Sequence, residues 1–468
     1  MKHLQLIIGL IFIGFISMAQ SVSDKLAMAM QQLENDTALK HASLSLYVVE
    51  SKTHKVVSDY NSQLGLAPAS CQKIITSVTA FELLDKNYQY KTELGYDGFI
   101  SNGILRGNLY IVGSGDPTLA SWRYNTTKDS FIIANWIQAI KEIGIKSIDG
   151  NVFFDGKKFS YQSLPGGWIW DDIGNYYGAG TWGLNWHENQ YDIVLQPGDN
   201  EGDEAIILKT KPELQKVFLK PNIMTGKKGS GDNGYIYLSP YSNTGFVEGT
   251  VPAGEKTFTI SGALPNPVWQ IQKAFEDALR IEKISFKSMI DLAMIDNDDT
   301  KRHPSIIINT HYSPTLDSIN YWFLKKSINL YGEAILKTIA FEKTGIGSTD
   351  KGVDIVRKFW QDRGIDKSAI KVIDGSGLSP QNRITTGVLV NVLQYAKDKK
   401  WFPIFYNALP VYNNMKLKSG TIGGTKSFAG YHTSKAGVDY TVAIIVNNFD
   451  GSASAVVKKL FAVLDELK

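Results

Sequence analysis

The chain contains a single cysteine, Cys71, among its 468 residues, so it cannot form an internal disulfide and should fold without oxidation. It also lacks a block of like charges. Its 49 Lys and Arg residues and 46 Asp and Glu residues are interspersed along the chain, and the formal net charge is +3. Because no polybasic run occurs, nucleic acid and anionic membranes are poor candidate partners.

Long apolar runs are equally scarce, and the one that occurs lies at the N-terminus. Residues 1–20 combine a basic start at Lys2, an apolar run from Leu4 to Ile16 and the ending Ser17-Met18-Ala19. This pattern is typical of a cleaved export signal, since the run is shorter than the ~20 apolar residues of a membrane-spanning helix. We therefore expect the mature protein to be soluble and periplasmic, with no membrane anchor.

Metal- and nucleotide-binding motifs are missing as well. The seven histidines show no H-E-x-x-H or other ligand spacing, and neither a G-x-S-x-G elbow nor a Walker-type glycine loop occurs. The glycine-rich segment Val112–Pro117 follows a predicted strand without opening an apolar helix, so we interpret it as a turn. We predict no metal and no cofactor.

Alternating apolar residues predict β-hairpins near both ends of the chain. One hairpin is predicted from "SLSLYVV" at Ser43–Val49 and the "VVSDY" that follows it. The other is predicted from Ser427–Thr433 and Val438–Phe449, with an amphipathic helix after it. The middle, about residues 90–300, has short β-like runs, glycine and asparagine turns and polar loops. These features indicate one sheet built from both ends of the chain, with inserted material between them.

The candidate nucleophile lies in "LAPASCQKIITSVTAFELL", where Pro68 and Ser70 stand at the predicted start of a helix. Residues three apart share a helix face, so Lys73 should lie beside Ser70 and not beside Cys71. A neutral lysine amine can take the serine proton if burial and a second cation depress its pKa. We predict Ser70 as the nucleophile, Lys73 as its base and Cys71 as a buried packing residue.

A lone Ser-x-x-Lys is weak evidence, since the pattern recurs at Ser348–Lys351 and Ser368–Lys371. A serine acylase of this type also needs a second hydroxyl with an amide, and a cationic strand on the other side of the cleft. Ser327-Ile328-Asn329 and Lys418-Ser419-Gly420-Thr421 supply these companions in the required order. The three motifs together predict acyl-transfer chemistry.

A literal Lys343-Thr344-Gly345 triplet competes with Lys418 for the role of active-site cation. It follows Asn329 by only a few helical turns and precedes loop residues, whereas the cationic segment must be a strand that pairs with the substrate. We therefore interpret Lys343 as a helix-terminal lysine before a glycine C-cap, and Lys418 as the active-site cation.

Six stretches occur in an order that resembles one enzyme family. They are "PAS-QK", "GNLYIVGSGDPTL" (Gly107–Leu119), "GWIWDD" (Gly167–Asp172), "LNWHEN", "SINLYGE" and "DGSGLSPQNR" (Asp374–Arg383). From about residue 25 to the C-terminus the chain is similar to the low-molecular-mass class C penicillin-binding proteins, the periplasmic serine D-alanyl-D-alanine carboxypeptidases and endopeptidases of peptidoglycan.

The resemblance implies an α/β (α+β) multidomain fold. Its core would be DD-peptidase- or serine β-lactamase-like, an antiparallel sheet flanked by helices, and it would carry two nested, largely β inserted domains. The expected boundaries are a signal peptide at 1–20, the first part of the core at 21–90, inserted domains at 91–300 with the second nested at about 188–262, and the second part of the core at 301–468.

The resemblance also implies roles for the three motifs. Ser70 is the acylated nucleophile, Lys73 its base, and Ser327 with Asn329 the proton relay and the contact to the substrate amide. Lys418 would lower the pKa of Lys73 and attract the substrate carboxylate.

The strand after Lys418 would bind the substrate. Ser419 takes the place of the family's usual threonine in holding the carboxylate, and Gly420 and Thr421 continue the strand. The backbone N–H of Ser70 and that of a residue after Gly420, for which Ile422 is our choice, would hold the oxyanion.

Two further features bear on substrate preference. Asp172 and Tyr177 match inserted-domain positions that in this family can contact the free end of a diamino-acid side chain; alternatively, Tyr177 and its neighbouring tryptophans simply pack the inserted domain. The position after "DGSGLS" is often arginine in relatives but is Pro380 here, with the nearest arginine at Arg383. The preference for a diaminopimelate carboxylate is therefore an open question.

The predicted function is that of a serine D-Ala-D-Ala carboxypeptidase or endopeptidase acting on peptidoglycan stem peptides through a covalent acyl-enzyme. Penicillins and other β-lactams would acylate the same serine. A β-lactamase or esterase on the same core is the alternative from the same class. A non-catalytic peptidoglycan-binding protein is the alternative from another class, and the intact Ser-x-x-Lys argues against it.

Overall fold

The protein is described here by a computed structural model that covers residues 21–295 and 302–468. The predicted export signal at 1–20 lies outside the described residues. Within these two ranges no helix is long and apolar enough to cross a membrane.

Helices and strands alternate irregularly along the chain. The helices are α1 (Val22–Glu34), α2 (Lys73–Leu83), α3 (Asp129–Glu142), α4 (Trp170–Ile173), α5 (Pro267–Ile281), α6 (Leu316–Lys325), α7 (Asn329–Thr344), α8 (Thr349–Gln361), α9 (Thr386–Lys397), α10 (Phe402–Ala408) and α11 (Ala453–Asp465). The strands are β1 (Ser43–Glu50), β2 (Val56–Tyr60), β3 (Lys91–Tyr96), β4 (Phe99–Ser101), β5 (Ile104–Arg106), β6 (Leu109–Gly113), β7 (Ser147–Ile148), β8 (Val152–Asp155), β9 (Gln190–Gln196), β10 (Ile206–Lys211), β11 (Phe218–Gly226), β12 (Asn233–Tyr237), β13 (Thr244–Pro252), β14 (Phe258–Ala263), β15 (Met289–Asp291), β16 (Ile306–Tyr312), β17 (Ile370–Lys371), β18 (Arg383–Ile384), β19 (Val411–Tyr412), β20 (Met415–Ile422), β21 (Thr425–Thr433) and β22 (Asp439–Asn447).

A six-stranded antiparallel sheet joins the two ends of the chain, in the order β19-β20-β21-β22-β1-β2. Side chains alternate between its two faces. On β22, Ala443 and Ile445 pack into a core with α2, α6, α7, α8 and α9, whereas Val442 and Ile444 pack with α1 and α11. The sheet is therefore buried on both faces between helices.

The middle of the chain forms smaller sheets of its own. A five-stranded sheet, in the order β15-β8-β6-β3-β16, shares a core with α3 and α5. Two three-stranded sheets, β10-β9-β14 and β11-β13-β12, share another core. The predicted fold class, a helix-flanked antiparallel core sheet with largely β insertions, is confirmed.

The domain boundaries stay predictions, and the pairing of β16 bears on the one at residue 300. β16 pairs along its whole length with β3, from Ile306 opposite Tyr96 to Tyr312 opposite Lys91. The middle sheet therefore takes in residues beyond the predicted boundary at residue 300. We place the end of the inserted segment after Tyr312.

Candidate active site

Ser70 lies in a tight turn that leads into α2. The turn is a 3₁₀ helix at Ala69–Gln72, and the α-helix itself begins at Lys73. Ala69 has a φ of +46°, a left-handed conformation that costs a non-glycine residue about 1–3 kcal/mol. The surrounding structure holds this turn, because the Ser427 hydroxyl donates to the Pro68 carbonyl at 2.6 Å. Ser70 is thus presented on a strained, fixed turn.

Lys73 is wholly buried and makes three polar contacts through its Nζ. Its Nζ lies 3.0 Å from Ser70 Oγ, 2.6 Å from Asn329 Oδ1 and 2.6 Å from the Ser376 carbonyl oxygen. Asn329 Nδ2 donates to the Tyr177 carbonyl at 2.7 Å, which fixes the amide with its oxygen toward Lys73. These contacts decide what the amine can do.

A neutral amine has two N–H donors and one lone pair. Two partners of Lys73, the Asn329 side-chain oxygen and the Ser376 carbonyl, can only accept, so they take the two N–H donors. The lone pair is left for the third partner, the Ser70 hydroxyl. Neutral Lys73 is therefore oriented to accept the Ser70 proton, as a base must be.

The electrostatics of the site favour that neutral form. Burial is the larger cause that lowers the pKa of Lys73 well below its usual value, and the nearby charge of Lys418 adds to it. The carboxyl groups of Asp374 and Glu333 act in the opposite direction but do not outweigh these effects. Burial and a second cation are the two conditions that a lysine base requires.

Ser327 and Lys418 face each other across the site. Lys418 is 1% exposed, and its Nζ donates to Ser327 Oγ at 3.0 Å and to the Ser419 carbonyl at 2.8 Å. Burial lowers the pKa of Lys418 to about 8, so that it is charged at neutral pH. Ser327 lies between α6 and α7 with a φ of +58°, a second strained residue beside the nucleophile.

The strand β20 forms one wall of the site, and its pairing shows which N–H groups are free. The Leu417 N–H donates to the Pro410 carbonyl, on the side away from β21. Strand N–H groups alternate in direction, and β20 pairs with β21 without a bulge from Lys416 to Ile422. The Thr421 N–H, four residues on, therefore also faces away from β21, while the Ile422 N–H faces β21.

This register corrects the predicted oxyanion donor. The Ile422 N–H is directed toward β21, so of these two residues the Thr421 N–H is the one that the sheet leaves free to hold an oxyanion. The position of Gly420 explains how strand and nucleophile come close, since a Cβ there would lie 2.8 Å from the Ser70 nitrogen and 2.6 Å from the Pro68 carbonyl oxygen. Only glycine permits this approach. Ile422 lines the cavity but does not supply the hydrogen bond.

A cavity of about 770 Å³ opens in front of Ser70 and brings most of the predicted residues together. Its lining includes Ser70, Ser327, Asn329, Thr421, Ile422, Asp172 and Tyr177. Lys73 and Lys418 lie buried behind it, within hydrogen-bond distance of Ser70 and Ser327. Residues from both ends of the chain and from its middle thus meet at one site.

Asp172 and Tyr177 form the part of the cavity that the inserted segment supplies. Burial raises the pKa of the Asp172 carboxyl to about 6, although the nearby Tyr177 hydroxyl acts to lower it. Asp172 is therefore charged at neutral pH and faces a cavity that a cation can enter. The neighbouring Trp168 has a packing role instead, because it is buried and its Nε1 donates to Asp374 Oδ2 at 2.9 Å.

The loop "DGSGLS" supports the site from behind. Asp374 accepts hydrogen bonds from the backbone N–H groups of Gly377 and Ser379, both at 2.7 Å. Gly377 has a φ of +82°, and a Cβ there would lie 2.0 Å from the Ala69 carbonyl oxygen. The loop therefore packs directly on the Ser70 turn, and it supplies the Ser376 carbonyl that contacts Lys73.

The residues that the sequence analysis set aside lie away from the chemistry. Lys343 is exposed in the last turn of α7, and Gly345 ends that helix with a φ of +74°, as predicted for a glycine C-cap. Ser348 caps α8, and Ser368 hydrogen-bonds Asp366. Cys71 is fully buried, with its Sγ against the Lys418 carbonyl, and burial raises the pKa of its thiol.

Pro380 lines the cavity, and Arg383 does not replace the missing arginine. The Nη1 of Arg383 instead donates to the carbonyl oxygens of Pro380 and Asn382. The arginine that does line the cavity is Arg123, which the sequence analysis missed. Its partner is the buried Glu188, at 2.7 Å from Nε, and this pairing joins residues too distant in sequence for local patterns to reveal.

Residues 21–295 and 302–468 contain no group of three or more His, Cys, Asp or Glu side chains placed to hold a metal ion. The Ser70 hydroxyl is surrounded by a buried lysine, by a second hydroxyl beside a cation, and by two backbone N–H groups. That arrangement can attack a carbonyl and hold the resulting oxyanion.

Comparison with known proteins agrees with this geometry. Residues 26–414 match the D-Ala-D-Ala carboxypeptidase 3 (S13) family. The chain is 26% identical over 455 residues to a D-alanyl-D-alanine carboxypeptidase of Actinomadura sp. (strain R39), covering 92% of this chain and 82% of the relative. It is 24% identical over 416 residues to D-alanyl-D-alanine carboxypeptidase DacB of Haemophilus influenzae, covering 85% and 83%. The crystal structure of penicillin binding protein 4 (dacB) from Haemophilus influenzae has the same fold, with a TM-score of 0.79 at 21% identity over 94% of this chain and 98% of that one.

Proposed function

The chain belongs to the D-Ala-D-Ala carboxypeptidase 3 (S13) family, a family of serine-type peptidases, and from this premise we propose that Ser70 is the residue that cleaves D-Ala-D-Ala in peptidoglycan stem peptides. The observation that carries the assignment is the contact of buried Lys73 with Ser70 Oγ, in which the two other partners of the amine leave its lone pair for the hydroxyl.

Acylation begins when Ser70 Oγ attacks the carbonyl carbon of the penultimate D-Ala and Lys73 takes the hydroxyl proton. The N–H groups of Ser70 and Thr421 hold the oxyanion, which is the interaction that strengthens as the carbonyl becomes tetrahedral. The amide bond then breaks, and the leaving D-Ala amine receives the proton from Lys73 through the Ser327 hydroxyl. The product is an ester of the shortened peptide on Ser70.

Deacylation repeats these steps with water as the nucleophile. Lys73 removes a proton from water, the hydroxide adds to the ester carbonyl, and Ser70 leaves with the proton. An endopeptidase reaction follows the same course with a cross-bridge amide in place of the terminal D-Ala.

Lys418 and Ser419 bind the carboxylate of the terminal D-Ala. Lys418 carries a charge at neutral pH, and its two hydrogen bonds are both to neutral oxygens, so no carboxylate in the described ranges compensates it at hydrogen-bond distance. Asn329 keeps one N–H and one oxygen lone pair beyond its bonds to Lys73 and Tyr177, which suffices for a substrate amide.

The Asp172–Tyr177 corner of the cavity binds the ammonium group of the diamino-acid side chain. Charge at neutral pH and an open cavity support this role over packing alone. Pro380 offers neither a charge nor a donor to the side-chain carboxylate of diaminopimelate, so discrimination between diaminopimelate and lysine should be small.

β-Lactams acylate Ser70 because they present the same carbonyl and carboxylate. The Haemophilus influenzae penicillin binding protein 4 has been solved in complex with a β-lactam, and this chain shares its fold with a TM-score of 0.73.

The apolar segment at residues 1–20 acts as an export signal in this proposal. The enzyme therefore works in the periplasm, where stem peptides are found. Cell fractionation and N-terminal sequencing of the mature chain test that location.

Purified muropeptides test the activity. We expect mass spectrometry to show loss of one alanine from pentapeptides, or division of cross-linked dimers, and no change with Ser70→Ala. The pentapeptide and dimer rates together set the balance of carboxypeptidase and endopeptidase activity. Rapid turnover of penicillin with no change in muropeptides would instead indicate a β-lactamase and would refute the proposal.

A further inference from the structure

A second cleft lies between α3 and the strand β16. It has a volume of about 460 Å³, within the range of about 300–1,000 Å³ typical of small-molecule sites. β16 is the outer strand of the five-stranded sheet, and its pairing with β3 shifts register between Ile307 and Asn309. Such bulges re-aim side chains and are common beside binding sites. We call this cleft the α3–β16 groove.

The groove is lined by polar but uncharged groups. Asn135 on α3 and Asn309 on β16 contribute side-chain amides, and Phe131 and Tyr312 contribute exposed aromatic rings. The fully buried Trp136 also lines the groove, and its indole N–H has no hydrogen-bond partner in the described part of the chain. An unpaired buried donor is costly, which favours a site that a ligand or water completes.

The absence of charge from the lining restricts the ligand. No Asp, Glu, Lys or Arg is among the described residues that line the groove, and burial lowers the pKa of His311 to about 4, so that it is neutral at pH 7. A charged ligand would lose hydration there without gaining a counter-charge. Amides, hydroxyls and aromatic faces instead suit a neutral sugar, whose polar edges and apolar faces they match.

The groove and the catalytic cavity are connected through one loop. Arg123 lines the catalytic cavity, and the next residue, Tyr124, lines the groove. The Tyr124 hydroxyl donates to the Ser318 carbonyl at 2.9 Å, which attaches the loop to α6. A polymer that carries a peptide in the catalytic cavity can therefore pass close to the groove.

We propose that the α3–β16 groove binds the N-acetylated glycan strand to which the stem peptides are attached. The proposal rests on the proposed function, since that function makes the peptidoglycan glycan the neutral saccharide nearest to the site. The amides of Asn135 and Asn309 pair with acetamido groups, and the exposed Phe131 ring stacks on a sugar face.

Binding of peptide-free glycan tests the proposal. The full-length chain is titrated by NMR with a peptide-free oligosaccharide of N-acetylglucosamine and N-acetylmuramic acid whose lactyl carboxyl groups are amidated, so that the probe is neutral like the peptide-bearing strand. We expect Asn135→Ala combined with Asn309→Ala to weaken binding by roughly tenfold, or about 1.4 kcal/mol. Phe131→Ala, at an exposed position, should weaken it similarly without risk to the fold. The matched control is Gln138→Ala, which removes an exposed amide from the same helix.

Other saccharides show which chemical group of the glycan the groove recognises. If the groove recognises only the acetamido group, chitin tetramer should bind as tightly as the peptidoglycan strand. Cellotetraose, which lacks that group, should bind more weakly. Equal binding of cellotetraose would overturn the acetamido assignment. An extended peptide that binds along β16 in place of glycan would overturn the proposal.

Penicillin acylation separates this proposal from the proposed function. All three variants should be acylated by labelled penicillin at the wild-type rate, because none of the changed residues lies in the catalytic machinery. The groove variants should raise KM for glycan-linked substrate and leave kcat for free stem peptide unchanged. A wild-type chain that binds no glycan, or groove variants that bind it normally, would overturn the inference. A chain that binds glycan but is not acylated would overturn the proposed function alone.

Discussion

Replacing Lys418 by glutamine removes a buried cation from the active site and keeps a side chain of similar shape. Lys418 is charged at neutral pH because its pKa is about 8, and its charge is the second cause, after burial, of the lowered pKa of Lys73. Acylation needs Lys73 neutral and Lys418 charged. The wild-type rate should therefore rise with pH as Lys73 loses its proton and fall above about pH 8 as Lys418 loses its own.

The size of the effect follows from the burial of both amines, which are 0% and 1% exposed. Water screens such a pair poorly. A neighbouring charge shifts the pKa of such a group by about 1–3 units, so below that pKa the neutral fraction of Lys73 should change by roughly ten- to a thousandfold. Without Lys418 the ammonium form of Lys73 is no longer repelled, so the acid limb of the profile should move to higher pH. The alkaline fall should disappear.

The assay is the second-order rate of acylation by a chromogenic β-lactam, measured over a pH range that brackets 8. Lys343→Gln is the matched control, since it removes a lysine from the rival Lys343-Thr344-Gly345 triplet at an exposed helix end. We expect it to behave as wild type. An unchanged acid limb in Lys418→Gln would refute the electrostatic argument, and a severe defect in folded Lys343→Gln would show that the wrong triplet was chosen.

The remaining predictions concern the nucleophile, the amine-binding corner and the supporting loop. Ser70→Ala should abolish labelling by penicillin and Cys71→Ala should leave it largely intact; an adduct mapped to Cys71 would contradict the lone-pair argument. Asp172 is charged above its pKa of about 6, so KM for substrate with a free side-chain amine should fall as pH rises through 6. Asp172→Asn should remove that pH dependence of KM and leave penicillin acylation unchanged. If the pH dependence survives in this variant, it arises from a group other than Asp172. Gly364→Ala, at a φ of +86° with open space around it, should cost about 1–2 kcal/mol in the free energy of unfolding. Gly377→Ala should cost more in the same urea titration, since its Cβ also meets a backbone carbonyl at 2.0 Å; equal costs would disprove that clash.

Part of the site could be predicted from local patterns. Ser70 and Lys73 are three residues apart, and this spacing places them together whatever the rest of the chain does. The alternation of apolar residues predicts the strands β21 and β22, and the glycine after Lys343 predicts the end of α7. Each of these features depends on residues within a few positions of one another.

Other parts of the site depend on residues far apart in sequence. The two acceptors that orient Lys73, Asn329 and Ser376, are 256 and 303 residues away from it. The choice of Thr421 over Ile422 as the oxyanion donor depends on which edge of β20 is paired, and alternation along one strand cannot reveal that. The strand β20 could be predicted from the sequence, but its register could not.

The amino-acid sequence by itself determined the identity of the catalytic groups and the secondary structure that carries them, because helix and strand periodicity act over short distances. The tertiary structure decided what those groups can do. It buried Lys73 and Lys418, which lowers the pKa of both amines, it brought the charge of Lys418 close enough to lower the pKa of Lys73 further, and it directed the lone pair of Lys73 at Ser70. It also brought Asp172 into the cavity in front of Ser70. Burial and the meeting of distant segments exist only in the folded chain, since both arise from packing.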